Sequence, residues 1–218
     1  MSKIRALFFD MDGVIVDSMP YHFFAWHEAL KKYGITVGPQ DIYAHEGEKW
    51  ETTLQHYLTR NNLPADLPFK RKIFNYRQKL FRKIFRRHIM PGLPELLREL
   101  KSKKYLLGLV SGTPSSDMPQ LLSKPLLKLF DCVVGGELTT RSKPHPEPYL
   151  AAAQKLALPP AKCLVIENAP LGIRSAKAAR MRCLAVTTSL PADYLQKAGA
   201  DQVCGIKDLR KKILEFLG

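Results

Sequence analysis

Asp10 and Asp12 are the residues with which any chemistry in this chain has to start. They stand two apart in Phe8-Phe9-Asp10-Met11-Asp12-Gly13-Val14-Ile15-Val16-Asp17-Ser18, directly after the run Ile4-Arg5-Ala6-Leu7-Phe8-Phe9. That run is apolar without a helical period, which predicts a buried β-strand. Along extended chain, side chains alternate faces, so residues 10 and 12 can project to the same side, and Gly13 lets the backbone turn just beyond them. Two acids in one small cavity suit two chemistries. They can hold a hard divalent cation, or they can divide nucleophilic and acid/base work between carboxylates in different environments. A strand that merely ends in an acidic turn is spelled the same way, so the chemistry needs partners elsewhere.

The elements that must position such partners can be read from periodicity. After Ser18 the pattern turns helical: Tyr21 to Tyr33 carries Phe24 and Leu30 at helical spacing and stops before Gly34, a second helix runs from Lys49 to Arg60, and a third from Lys70 to Arg87. These three make an all-helical insert. Beyond Arg87, Pro91-Gly92 leads into a helix over Leu93 to Lys103 and then the strand Tyr105 to Val110. Further strands are predicted at Cys132-Val133-Val134, Cys163 to Ile166, Cys183 to Val186 and Gln202-Val203-Cys204, with helices between them. Such alternation predicts an α/β fold, a Rossmann-like, doubly wound parallel sheet with the helical segment inserted after the first strand.

Ligands of such sheets bind outside the carboxyl ends of the strands. Strand one ends in Asp10 and Asp12. The second central run ends in Ser111-Gly112-Thr113, hydroxyls and bared N–H groups suited to phosphoryl oxygens. Arg141-Ser142-Lys143-Pro144-His145-Pro146-Glu147 puts a lysine before a helix, and Glu167-Asn168-Ala169-Pro170 gives an oxygen-rich tip with a proline fit for the first helical turn. Two acids, a hydroxyl, a lysine and an acid–amide pair together describe a metal-assisted phosphoryl-transfer site.

Composition is that of a globular protein: 218 residues, 45% hydrophobic and 25% charged. Cys132, Cys163, Cys183 and Cys204 are widely spaced and mostly in apolar runs, which predicts reduced core thiols. No apolar stretch reaches the length of a membrane span, and the first strand begins with no cleavable signal before it, so a cytoplasmic location is expected. The net charge of +14 is concentrated in Lys70 to Arg87, which holds nine Lys and Arg residues and no acid. Ile73, Phe74, Leu80, Phe81, Ile84 and Phe85 form its apolar stripe, so the basic face is expected to be solvated, with nucleic acid or another polyanion as the alternative partner.

Asp10-x-Asp12-Gly13-Val14 after an apolar strand, Ser111 closing a second, Lys143-Pro144 before a helix and Glu167-Asn168 after Val-Ile resemble, in order, the four motifs of the haloacid dehalogenase-like (HAD) superfamily. The helical insert resembles the C1-type cap of the β-phosphoglucomutase and phosphoglycolate phosphatase branch, whose cap start is similar to Asp17-Ser18-Met19-Pro20-Tyr21-His22 and Ala25-Trp26. The resemblance implies a catalytic core of residues 1–16 and 89–218 and a cap of residues 17–88. It implies that Asp10 is the nucleophile, that Asp12 is the acid/base, and that Ser111 and Lys143 hold the transferring group. Gly112, Thr113, His22 and Glu46 are implied as substrate contacts, and Asp10, Asp12, Asn168 and Glu167 as the surroundings of Mg²⁺, with Glu167 either on metal-bound water or orienting Lys143.

Two departures bear on specificity. Asn168 stands where the family often has Asp, and an amide oxygen binds Mg²⁺ without adding charge. In Ala44-His45-Glu46-Gly47-Glu48 the chain has acids where the phosphoglucomutases have basic sugar-phosphate-binding residues, with Lys49 the only base nearby. Glu46 is therefore expected to assist Asn168 with the cation and to favour compact substrates. The expectation is a monomeric Mg²⁺-dependent phosphatase acting on small phosphate monoesters or pyrophosphate. A phosphomutase is the rival within the family, and a polyanion-binding protein with a vestigial site the rival outside it.

Overall fold

The computed structural model describes residues 3–218; Met1 and Ser2, on which the expectation of no leader partly rests, lie outside them. In chain order the elements are β1 (Ala6–Phe9), α1 (Met19–Lys31), α2 (Pro39–Ala44), α3 (Trp50–Arg60), α4 (Leu67–Ile84), α5 (Leu93–Ser102) and β2 (Leu106–Val110). There follow α6 (Met118–Leu121), α7 (Lys124–Leu127), β3 (Cys132–Val134), α8 (Glu147–Lys155), β4 (Cys163–Glu167), α9 (Pro170–Ala178), β5 (Arg182–Val186), α10 (Ala192–Lys197), β6 (Gln202–Cys204) and α11 (Leu209–Leu217).

The six strands form one parallel sheet in the order β3-β2-β1-β4-β5-β6. The chain builds outward from β1 through β2 to β3, then returns to lay β4 on the other side of β1. The switch point therefore falls beside the β1 tip, where such sheets leave a crevice. Alternate residues of the strands feed two separate cores, as the two-residue period requires. Leu7, Phe9, Leu107, Leu109, Leu164 and Ile166 face the layer with α5 and α11, whereas Phe8, Val110, Val165, Cys183 and Ala185 face α8 and α9. All four cysteines are free and buried, and among the described residues no helix is long and apolar enough to cross a membrane.

The insert has its own core of Trp26, Ala29, Leu30, Ile35, Ile42, Leu54, Leu58 and Ile73. Where it joins the sheet, its two connecting segments pair: Val16 bridges Ile89, the Asp17 N–H donates to the His88 carbonyl at 2.9 Å, and the Met90 N–H to that of Ile15 at 2.9 Å. Two readings of the insert need correction. Phe24, assigned to the apolar face of the first helix, is 47% exposed, because that helix starts at Met19 and turns Met19, His22, Ala25, Trp26 and Ala29 inward. The basic helix begins at Leu67, and one of its cations, Arg77, is buried rather than part of the outer face.

Candidate active site

The tip of β1 carries the first acids over the switch point. Asp10 continues the strand through its N–H, which donates to the Ile166 carbonyl at 3.0 Å, and the residue is 6% exposed. Gly13, at φ 82°, turns the chain back, and a Cβ there would lie 2.1 Å from the Asn168 amide nitrogen, so glycine is required by both conformation and space. The turn's hydrogen bonds run to the Met11 and Val16 carbonyls, not to that of Asp12.

Lys143 joins two strand tips. Its ammonium donates to Asp10 Oδ1 and to Glu167 Oε1, both at 2.6 Å, and all three side chains are buried. Burial opposes the lysine's charge, but the two carboxylates outweigh it and raise its pKa. Burial raises the Asp10 carboxyl well above the usual range, with Glu167 and Asp12 adding to it against the pull of Lys143. Of the roles open to Glu167, orienting Lys143 is the one its contacts serve. Oε1 also accepts from the Tyr149 hydroxyl at 2.8 Å, and Oε2 takes the Asn168 and Ala169 N–H groups at 2.9 and 3.1 Å, which leaves no oxygen directed to a cation.

Asp12 is held from the insert. Its Oδ1 accepts from the Ser18 hydroxyl at 2.6 Å and pairs with His22 Nε2 at 3.0 Å. The Arg77 guanidinium hydrogen-bonds the other ring nitrogen of His22. A guanidinium can only donate, so His22 Nδ1 is the acceptor and the ring proton sits on Nε2, facing the carboxylate. Burial pushes the Asp12 carboxyl up, yet the His22 and Ser18 hydrogen bonds prevail and hold it below the usual range. The two carboxylates thus stand in different surroundings, Asp10 ion-paired to a lysine and Asp12 hydrogen-bonded from the insert.

Ser111, 6% exposed, accepts the Thr113 N–H at 3.1 Å, which leaves its hydroxyl proton free to donate. Ser111, Gly112, Thr113 and Lys143 form the floor of a cavity of about 750 Å³ between sheet and insert. The insert supplies the roof: His22, Glu46, Gly47 and Arg77, and the aromatics Trp26, Trp50, Phe74, Phe81 and Phe85. This volume is typical of ligand-sized sites and larger than a two-carbon ester or pyrophosphate fills, so compactness of the substrate does not follow from space.

Mg²⁺ fits what is present at the β4 tip. Asn168 is fully buried, its amide nitrogen donates to the Ser189 hydroxyl at 2.8 Å, and its Oδ1 is a buried acceptor with no donor. An oxygen left unpaired in the interior calls for a partner that the protein does not supply. Among the described residues no three His, Cys, Asp or Glu side chains cluster as a metal cage. An amide, one carboxylate and a backbone carbonyl would leave the remaining positions to water and phosphoryl oxygens, which is how Mg²⁺ is commonly held. Glu46 lines the cavity roof, where the charges of His22, Asp12, Arg77 and Lys143 act on it.

The profile of the haloacid dehalogenase-like hydrolases matches residues 7–186. The chain belongs to the haloacid dehalogenase-like hydrolase family. Among its HAD-like relatives, a phosphorylated carbohydrates phosphatase of Thermotoga maritima is 30% identical over 98% of this chain and all of its own length. The β-phosphoglucomutase of Bacillus subtilis is 30% identical over 91% of each chain. Among solved structures, a β-phosphoglucomutase from Clostridium difficile superposes with a TM-score of 0.82 at 27% identity, covering 98% of this chain and 97% of its own.

Proposed function

We propose that this HAD-like chain is a Mg²⁺-dependent phosphatase that hydrolyses small phosphate monoesters through an aspartyl-phosphate on Asp10. The observation that carries this reading is the surroundings of the two carboxylates: Asp10 ion-paired to Lys143 at 2.6 Å, and Asp12 hydrogen-bonded by Ser18 and His22. Asp10 attacks phosphorus in line as the ester O–P bond breaks. The approaching phosphoryl dianion raises the proton affinity of Asp12, which takes up a proton and gives it to the leaving oxygen. Asp12 then removes a proton from water, the water oxygen attacks phosphorus, and Asp10 and inorganic phosphate are released. Ser111 and the Gly112 N–H grip the phosphoryl oxygens, while Lys143 balances their charge and Glu167 holds Lys143 in place. The Asp10 carboxylate, the Asp12 carbonyl and Asn168 Oδ1 would hold Mg²⁺, whose charge offsets the repulsion between carboxylate and phosphoryl dianion when it is bound.

The relatives supply both phosphatase and phosphomutase, and the acid in the cap loop favours the phosphatase, because a mutase must accommodate a bisphosphate. An Asp10/Lys143/Glu167 set joined by two ion pairs at 2.6 Å likewise favours catalysis over a vestigial site. On this reading residues 1–16 and 89–218 are the catalytic core and 17–88 the cap, and the protein acts as a monomer on a small substrate in a reducing compartment, the cytoplasm. Asp10→Asn keeps size and one metal-binding oxygen but loses the nucleophile. It should lower turnover about a thousandfold or more in a Mg²⁺-supplemented screen of phosphate esters, with the circular dichroism spectrum unchanged. Turnover within tenfold of wild type would sink the assignment.

A further inference from the structure

The turn after β5 carries two hydroxyls that reach the tips of β1 and β4. β5 ends at Val186, in the strand beside β4, and the chain beyond it is anchored on both sides. The Thr187 N–H donates to the Cys204 carbonyl at 2.9 Å, and Leu190 is buried in the core shared with α8 and α9. Between those anchors Thr188 Oγ1 donates to the Gly13 carbonyl at 2.5 Å, and Ser189 Oγ accepts from Asn168 Nδ2 at 2.8 Å. Gly13 and Asn168 also press on each other, since a Cβ on Gly13 would lie 2.1 Å from that same nitrogen. One turn thus holds both the loop that follows the two acids and the amide at the end of β4.

An amide needs this support where a carboxylate would not. Either oxygen of an aspartate can meet a cation, whereas an asparagine has one end that binds a cation and one that repels it. Asn168 is fully buried and its Oδ1 has no donor, so the oxygen is the end left to a cation. That orientation turns the amide N–H groups into the interior, where a donor without an acceptor is costly. Among the described residues Ser189 supplies the acceptor. Resting on the Mg²⁺-dependent phosphatase reading, we propose that Ser189 is a positioning residue for the cation. By accepting from Nδ2 it stabilises the one orientation of Asn168 that leaves Oδ1 to Mg²⁺. Its effect passes through Asn168 alone, so it should vanish when residue 168 no longer has two unlike ends.

The test is a double-mutant cycle between Ser189→Ala and Asn168→Asp in the full chain. Mg²⁺ affinity is read without substrate from the Mg²⁺-dependent rise in Tm, and with substrate from a Mg²⁺ titration of p-nitrophenyl phosphate hydrolysis. With Asn168 in place, Ser189→Ala should raise the half-saturating Mg²⁺ concentration about tenfold in both assays, because the cation-binding orientation then leaves a buried N–H unpaired. kcat at saturating Mg²⁺ should stay within about threefold of wild type. Ser189→Gly, which also removes the hydroxyl, should reproduce the shift, and Ser189→Thr, which keeps it, should restore affinity. In the Asn168→Asp background Ser189→Ala should move the titration by less than about twofold. An unchanged titration in both the Ala and Gly variants would overturn the role of Ser189. An equal shift in the two backgrounds would overturn it too, since a merely structural effect does not depend on which residue stands at 168. A folded wild type with neither a Mg²⁺-dependent Tm nor Mg²⁺-dependent hydrolysis strikes instead at the phosphatase reading, and the proposal falls with it.

Discussion

Asn168 shows how much one atom can matter at this site. Its Oδ1 is buried and unpartnered while its nitrogen is tied to Ser189, so the amide is fixed with an acceptor to spare. Replacing it by aspartate adds a charge at that oxygen, and the Ser189 hydroxyl can turn to donate to the other. Asn168→Asp should therefore lower the half-saturating Mg²⁺ concentration about tenfold, and Asn168→Ala should raise it, because cation affinity follows the number of charged ligands. Both an activity titration and the Mg²⁺-dependent rise in Tm read this out. An unchanged titration in the Asp variant would remove Asn168 from the cation's surroundings.

The elements of the insert act through where they press on the sheet. Gly47 sits at φ 89° against a lysine stem whose ammonium is held at 2.6 Å by two carboxylates, so the stem cannot yield. Gly47→Ala should lower kcat/KM about tenfold or more by shifting the loop, with Tm lowered by only a few degrees, since a small misplacement is felt strongly by the chemistry. α4 has the opposite character on its outer face. Lys72, Lys79 and Lys83 are exposed, and reversing all three to Glu should leave ester hydrolysis within about twofold of wild type. A steep salt-dependent affinity for RNA, lost in that variant, would instead give this face a polyanion partner. The strand tips were legible in the sequence because apolar runs stop abruptly at Asp10, Ser111 and Glu167, and a parallel sheet gathers such tips at one edge. Arg77 was not, because it lies in a run of cations where nothing marks one as inward, and its partner His22 is 55 residues away. Ser18, Tyr149 and Ser189 were missed for the same reason: their hydrogen-bond partners are chosen by packing, with no local pattern to announce them. α2 was also missed, a short helix of six residues with too few turns to show a period.

For the whole molecule, acid should act in two stages. Glu99 is paired with Arg210 and Lys103 and held down to about 2 from an ordinary 4.5, so what it adds to stability is present above pH 4.5 and lost as pH falls through its folded value. Glu48, Glu137, Glu147 and Glu215 are displaced in the same direction. Asp10 and Glu46 are raised, so their ionisation costs stability at neutral pH and the cost is relieved on acidification. The metal-free protein should therefore gain Tm on mild acidification from neutral pH, as Asp10 and Glu46 take up protons, and lose it steeply as pH falls below the ordinary 4.5 of Glu99 toward its folded value of about 2, by the linkage of protonation to unfolding. Saturating Mg²⁺ should flatten the rise. Calorimetry across that range decides it, and a monotonic fall from neutral pH would contradict the assignment of Asp10 and Glu46 as strained acids. The strand order also sets a timetable for synthesis. β1 emerges first but lies between β2 and β4, and the lysine that pairs with Asp10 lies 133 residues downstream, with Asn168 and Ser189 later still. Contacts so distant in the chain close late. A nascent or prematurely terminated chain thus carries Asp10 with neither Lys143 nor Asn168 beside it, and the first carboxylate to be made is the last to gain its partners.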